Sequence, residues 1–242
     1  MSTGLTPIRR HSGFEKVSRA LAMLTVLFLA GIVVLVLGDR SSTTANSQSG
    51  TGSGVAATQA RPLAPLTGVD LVGANNVVVR VGARQSVTVH ADNNLLGRVT
   101  TQVSSGTLVI GNTPGTLNAR SPMFVAVSVP SLDALAVEGS GSISVTGINS
   151  PSLTVRIPGS GTIHAAGTTA RLDVAIGGSG TALLSRLIAR DATASIDGSG
   201  SIVLTATHSL DASISGSGTI LYTGNPAQLT KSVTGSGTIS GE

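Results

Sequence analysis

Between residues 139 and 237 the triplet Gly-Ser-Gly occurs six times, at intervals of 20, 19, 20, 18 and 19 residues. The paired glycines are Gly139 and Gly141, Gly159 and Gly161, Gly178 and Gly180, Gly198 and Gly200, Gly216 and Gly218, and Gly235 and Gly237. Self-similarity at a near-constant period of this length indicates a repeat architecture. The flanks repeat as well. Two residues before each triplet stand Val137, Ile157, Ile176, Ile196, Ile214 and Val233, and two residues after stand Ile143, Ile163, Ala182, Ile202, Ile220 and Ile239. Apolar residues alternating with small polar ones have the period of a half-buried strand. Each repeat therefore reads as strand, Gly-Ser-Gly turn, strand and second loop, with the glycines expected to bend the chain through positive φ.

A flat meander of such strands would leave its apolar face open, and no amphipathic helix is available to cover it. Two packed sheets, or one coil whose opposite walls face each other, bury that face within the repeats themselves. A β-solenoid is the preferred form, with rungs ~4.8 Å apart. Residues 69–130 alternate less regularly, at Val77, Val79 and Val81, Val87 and Val89, Leu108 and Ile110, and are expected to begin or cap the same coil. The C-terminal residues Thr238–Glu242 carry no evident cap, so self-association through the solenoid end is an expected liability. Lys231, at an inward position of the last unit, would blunt that edge or face solvent.

The chain's formal charge of +4 belongs to its N-terminal part. Of 15 Lys/Arg and 11 Asp/Glu, residues 1–19 hold four and one, and residues 39–68 hold two and one. That leaves nine of each sign for residues 69–242. A neutral domain lacks the clustered basic surface that nucleic-acid binding requires. With no Cys, disulfides and thiolate metal sites are excluded.

Residues 20–38 contain no charge, and nineteen residues of helix span roughly 28 Å, close to the hydrocarbon thickness of a bilayer. Arg9, Arg10, Lys16 and Arg19 precede this stretch and should hold residues 1–19 in the cytoplasm. The expectation is a retained single-pass signal anchor in the cell membrane, with the C-terminal domain extracytoplasmic. The competing reading is a cleaved signal peptide and a secreted domain, with a mature N-terminus near Ala45 or Ala60. Residues 39–68, rich in Ser, Thr, Ala and Gly, read as a flexible linker before the domain at 69–242.

Several segments together resemble the bacterial adhesin family known as the head GIN domain, or DUF2807. The carriers are Val77–Val81, Val87–Val89, Asn93-Asn94-Leu95, Gly106–Ile110, Val127–Leu132, the Gly-Ser-Gly series and Leu221–Pro226. The resemblance covers residues 69–242. It implies a right-handed parallel β-helix-like fold with the triplet at the tight turn between two sheets, an envelope location and a role in adhesion. No catalytic residues come with it.

β-Helices also include enzymes that act on polysaccharides, and glycoside cleavage needs a carboxylate pair at a set separation. The column five residues before each triplet reads Ala134, Thr154, Asp173, Thr193, Asp211 and Thr230. If each repeat is one rung, Asp173 and Asp211 lie roughly 10 Å apart with no acid between them. His164 and His208 occupy different repeat positions and form no metal spacing. The residue after each triplet is always a hydroxyl, from Ser142 to Thr238. Such a column either satisfies backbone groups at the bend or presents a hydroxyl ladder to a repetitive ligand. The reading is a non-enzymatic adhesion or binding module without cofactor, metal or nucleic-acid partner, whose ligand is an envelope polysaccharide or protein. The alternatives are a self-associating structural or sensory domain and, third, a polysaccharide-acting enzyme relying on Asp197 or Asp211.

Overall fold

A computed structural model describes residues 50–242. The tail at 1–19 and the transmembrane helix expected at 20–38 lie outside the described residues. Among the described residues no helix is long and apolar enough to cross a membrane. In chain order the strands are β1 (Gly50–Thr51), β2 (Ala56–Ala60), β3 (Gly68–Leu71), β4 (Asn76–Val81), β5 (Ser86–Asp92), β6 (Val99–Ser104), β7 (Thr107–Asn112), β8 (Leu117–Asn118), β9 (Phe124–Val129) and β10 (Ala134–Val137). The long strands β11 (Ser142–Ile157), β12 (Thr162–Ile176), β13 (Thr181–Gly198) and β14 (Ser201–Gly216) follow, then β15 (Thr219–Thr223), β16 (Gln228–Gly235) and β17 (Thr238–Gly241). A short 3-10 turn at Leu96–Arg98 is the one helical element among the described residues.

The fold is an all-β solenoid of about five turns. Each Gly-Ser-Gly repeat makes one full rung. Ser142 pairs with Thr162, Thr162 with Thr181, Thr181 with Ser201, Ser201 with Thr219 and Thr219 with Thr238, all in parallel. The strands before the triplets stack as one wall, here wall A: β7, β3, β10, the later halves of β11 to β14, and β16. Those after the triplets stack as wall B: β9, β4, the earlier halves of β11 to β14, then β15 and β17. The long strands run through a second bend opposite the triplets, marked by register shifts between Val145 and Ile148 and between His164 and Ala166.

Inward columns fill the space between the walls mainly with aliphatic side chains, the buried Thr169 of the second bend being a polar member. Val137, Ile157, Ile176, Ile196 and Ile214 form one column, and Ile143, Ile163, Ala182, Ile202 and Ile220 face them from wall B. The rung of β13 is the exception, with Ala182, Ala189, Ala192 and Ala194 inside. Leu184 and Leu187 of the same rung, both fully buried, supply volume that the alanines leave open.

The N-terminal end of the coil is closed by antiparallel pairing, which the repeat pattern did not reveal. β6 pairs antiparallel with β7, and β5 lies antiparallel between β9 and β2. Here the expectation of a flexible linker over 39–68 is corrected for residues 50–66. β2 runs along β5 over five residue pairs, and β1 pairs with β8. The Gln85 side chain donates to the carbonyls of Leu63 and Ala64 and accepts from the amide of Leu66. Low apolar content did not prevent order, because the segment borrows hydrogen-bond partners from an existing sheet edge.

Candidate functional site

The six triplets sit where wall A turns into wall B. Positive φ, expected throughout, occurs at Gly198, Gly216 and Gly235 but at none of the other nine glycines of the series. What excludes a side chain is the rung below. A Cβ on the first glycine of each triplet would lie 2.3–2.6 Å from a carbonyl oxygen of the preceding rung. A Cβ on the second would strike a core side chain: Leu71 at Gly141, Val137 at Gly161, Ile157 at Gly180, Ile176 at Gly200, Ile196 at Gly218 and Ile214 at Gly237. The close approach lets the sheet ladder run through the bend. The amides of Ser160, Ser179, Ser199, Ser217 and Ser236 donate to glycine carbonyls one rung back at 2.9–3.2 Å.

The outer face of wall A follows from the same register. One column holds Ser152, Arg171, Asp191, Ser209 and Gln228, and the next holds Thr154, Asp173, Thr193, Asp211 and Thr230. Beyond them run Arg156, Ala175, Ser195, Ser213 and Ser232. A concavity of about 400 Å³ opens between the first two columns, lined by Arg171, Asp191, Ser209, Asp211 and Gln228 among others. A second, also about 400 Å³, lies over the third column, floored by Ala175, Ser195 and Ser213.

Asp191 was not singled out from the sequence. Its Oδ1 accepts from Ser209 Oγ at 2.6 Å and lies 2.6 Å from His208 Nδ1, and Arg190 Nε is 3.9 Å from Oδ2. The Ser209 hydroxyl, then the His208 ring, hold the Asp191 carboxyl below the usual carboxylate range. The hydroxyl bonds the carboxylate rather than the imidazole, so these three do not form a nucleophile–base–acid relay. Asp173 and Asp211 stand two rungs apart with Thr193 between them, as expected from the spacing.

On wall B the hydroxyl column Ser142, Thr162, Thr181, Ser201, Thr219 and Thr238 is aligned, its first five members half-buried and Thr238 exposed. Its neighbour mixes Ser144, His164, Leu183, Val203, Leu221 and Ser240, so no uniform array forms. Two further carboxyls stand near the N-terminal end. Asp92 is fully buried; burial raises its carboxyl, but the amides of Arg120, Ser121 and Gly54 and the Ser121 hydroxyl all donate to it and bring it below the usual range. Asp70 is pushed up to about 6, first by burial and then by the nearby charge of Glu138.

A parallel coil with an outward polar wall and a mainly aliphatic interior belongs to the class of β-solenoid proteins. A family model described as "Putative auto-transporter adhesin, head GIN domain" matches residues 65–226, and the chain belongs to that family. No curated protein matches the chain significantly. Among solved structures, a putative adhesin from Bacteroides fragilis aligns with a TM-score of 0.65 at 21% identity, over 79% of this chain and 99% of that one. A putative lipid binding protein from Parabacteroides distasonis aligns at 0.51 and 26% identity, over 81% and 100%. A putative adhesin from the same species aligns at 0.53 and 20% identity, over 81% and 100%.

Proposed function

We propose that the chain is a non-enzymatic extracytoplasmic binding module, held at the membrane by residues 20–38, that presents the outer face of wall A to an envelope polysaccharide or protein ligand. The observation that carries this reading is the register of wall A. It aligns polar side chains of successive rungs into columns beside two open concavities. The adhesin family supports the same role. The uncharged stretch at 20–38, preceded by four cationic residues, supports the tether and its orientation. The coil is read as right-handed, the hand that parallel strands joined by a crossover adopt in nearly all sheets. The test is binding of the purified full chain, in mild detergent, to whole bacterial cells and to isolated envelope fractions. Saturable binding that falls when wall A is altered supports the module; absence of binding to every fraction removes its basis. Recovery of the chain in the soluble fraction, with a mature N-terminus near Ala45 or Ala60, would replace the tether by secretion.

One observation favours a second reading, self-association through the last rung. Leu229 and Val233 stack on the buried Leu210 and Ile214 yet are 42% and 43% exposed. A strict monomer by light scattering at high concentration would exclude it.

A further inference from the structure

The register of wall A specifies a ligand class more narrowly than the binding-module reading on which this inference rests. Its central column alternates hydroxyl and carboxylate, Thr154, Asp173, Thr193, Asp211 and Thr230, one residue per rung. Both aspartates are exposed. Equivalent groups therefore recur every two rungs, about 9.6 Å along the coil axis. In an extended β-1,4-linked glycan alternate sugars face the same way, and its disaccharide advances by nearly the same length. The flanks suit such a chain. On one side Arg171 and Gln228 offer donors, and on the other Ala175, Ser195 and Ser213 leave a shallow trough for the sugar rings. Carboxylates accept hydrogen bonds from sugar hydroxyls while the neighbouring threonine hydroxyls can donate or accept, and bonds to an ionised acceptor are the stronger kind.

Charge narrows the class again. The outer face of wall A carries Asp70, Glu138, Asp173, Asp191, Asp197 and Asp211 against Arg156, Arg171 and Arg190, the last set against Asp191. A polyanion laid along it would meet like charge. With no aromatic side chain on this face, affinity rests on many small contacts repeated along the polymer, which is the regime of multivalent binding.

We infer that wall A binds a neutral β-1,4-linked glycan running along the coil axis, one disaccharide to two rungs, with Asp173 and Asp211 contacting equivalent sugars. The test incubates the full chain in mild detergent with insoluble cellulose and chitin, with amylose and polygalacturonate as controls. The expected result is retention on the β-1,4-linked pair and not on the controls. Asp173→Ala with Asp211→Ala should weaken retention about tenfold, the effect of losing roughly 1.4 kcal/mol. Arg186→Ala, beside wall B, should leave it unchanged. Asp173→Asn with Asp211→Asn serves as the isosteric version, and an unchanged melt shows that each variant is folded. Equal retention of the folded double variants, or equal retention on the controls, overturns the inference. A chain that ignores both β-1,4-linked glycans yet still binds bacterial cells overturns the glycan class and leaves the binding module standing.

Discussion

Alanine at Gly218 isolates the stacking role of the triplets. Its φ is not positive, so alanine carries no penalty from the local backbone. The new Cβ would lie 2.7 Å from Ile196 Cγ2, 2.9 Å from the Gly200 carbonyl oxygen and 3.1 Å from Ile196 Cδ1. Relaxed contacts between carbons are about 3.5–4.0 Å, so the rungs must part or Ile196 must turn. Ile196 cannot turn freely, being 2% exposed and stacked between Ile176 and Ile214. Overpacking of this kind costs about 1–3 kcal/mol. Parting the rungs also stretches the bond from the Thr219 amide to the Gly200 carbonyl, now 3.0 Å. The unfolded-chain advantage of alanine returns only about 0.4–1 kcal/mol. The net of these two terms, up to about 2.6 kcal/mol before the stretched bond is added, lowers Tm by up to about 10 °C in a domain of this size. Thermal unfolding followed by circular dichroism measures it, with the exposed Ser217→Ala as the neighbour that should change little. Combining Gly218→Ala with Ile196→Ala removes the struck methyl groups, so the double variant should be more stable than the two single effects sum to. A Gly218→Ala protein that melts at or above the parent temperature refutes the stacking argument.

Other perturbations test other parts of the fold. Asp92, held low, contributes stability that is present above the unfolded carboxylate value and is lost as pH falls through its folded value. Asp92→Ala should therefore lower Tm at neutral pH and flatten the acid limb of the Tm profile. Asp70 has the opposite sign: raised to about 6, it favours the fold at low pH and opposes it as pH rises from its unfolded value to that point. Asp70→Asn should raise Tm at neutral pH and converge with the parent in acid. Leu187→Ala truncates one of the two fully buried leucines of an alanine-rich rung and should cost about 2–5 kcal/mol by chemical denaturation. Lys231, stacked on Ala212 in an inward column, lies 4.7 Å from the Tyr222 ring centre and donates to the Ile239 carbonyl. Lys231→Val should expose an apolar strand edge and raise the apparent mass in light scattering with concentration.

The sequence revealed most of the coil because one constraint repeats. The triplets mark the bend between the walls, and the alternation on either side assigns the inward and outward columns next to it, though not those of the second bend, where the register shifts. The outward columns, and so the candidate face, follow once each repeat is one rung. The failures occur where that period lapses. β2 and β1 look like linker because Ala, Thr, Gln and Gly carry little apolar surface. Their order comes from β5 and from Asp92, whose carboxylate reaches the Gly54 amide across 38 positions. The pairing of His208 with Asp191 was hidden by the register shifts of β13, which move the two side chains together from different repeat positions. The glycines were recognised, but for the wrong property at most positions. Turn geometry is a local signal, whereas contact with the rung below becomes visible only when the rungs are stacked.

One rung per repeat is the claim on which the aligned faces rest, and the absence of native Cys makes it directly measurable. Asp173 and Thr193 are partners in adjacent rungs, whereas Asp173 and Asp211 are separated by one more. A disulfide needs Cα atoms about 4.4–6.8 Å apart. Under mild oxidation, Asp173→Cys with Thr193→Cys should cross-link within one chain, and Asp173→Cys with Asp211→Cys should not. Cross-linking of the second pair but not the first would contradict the account.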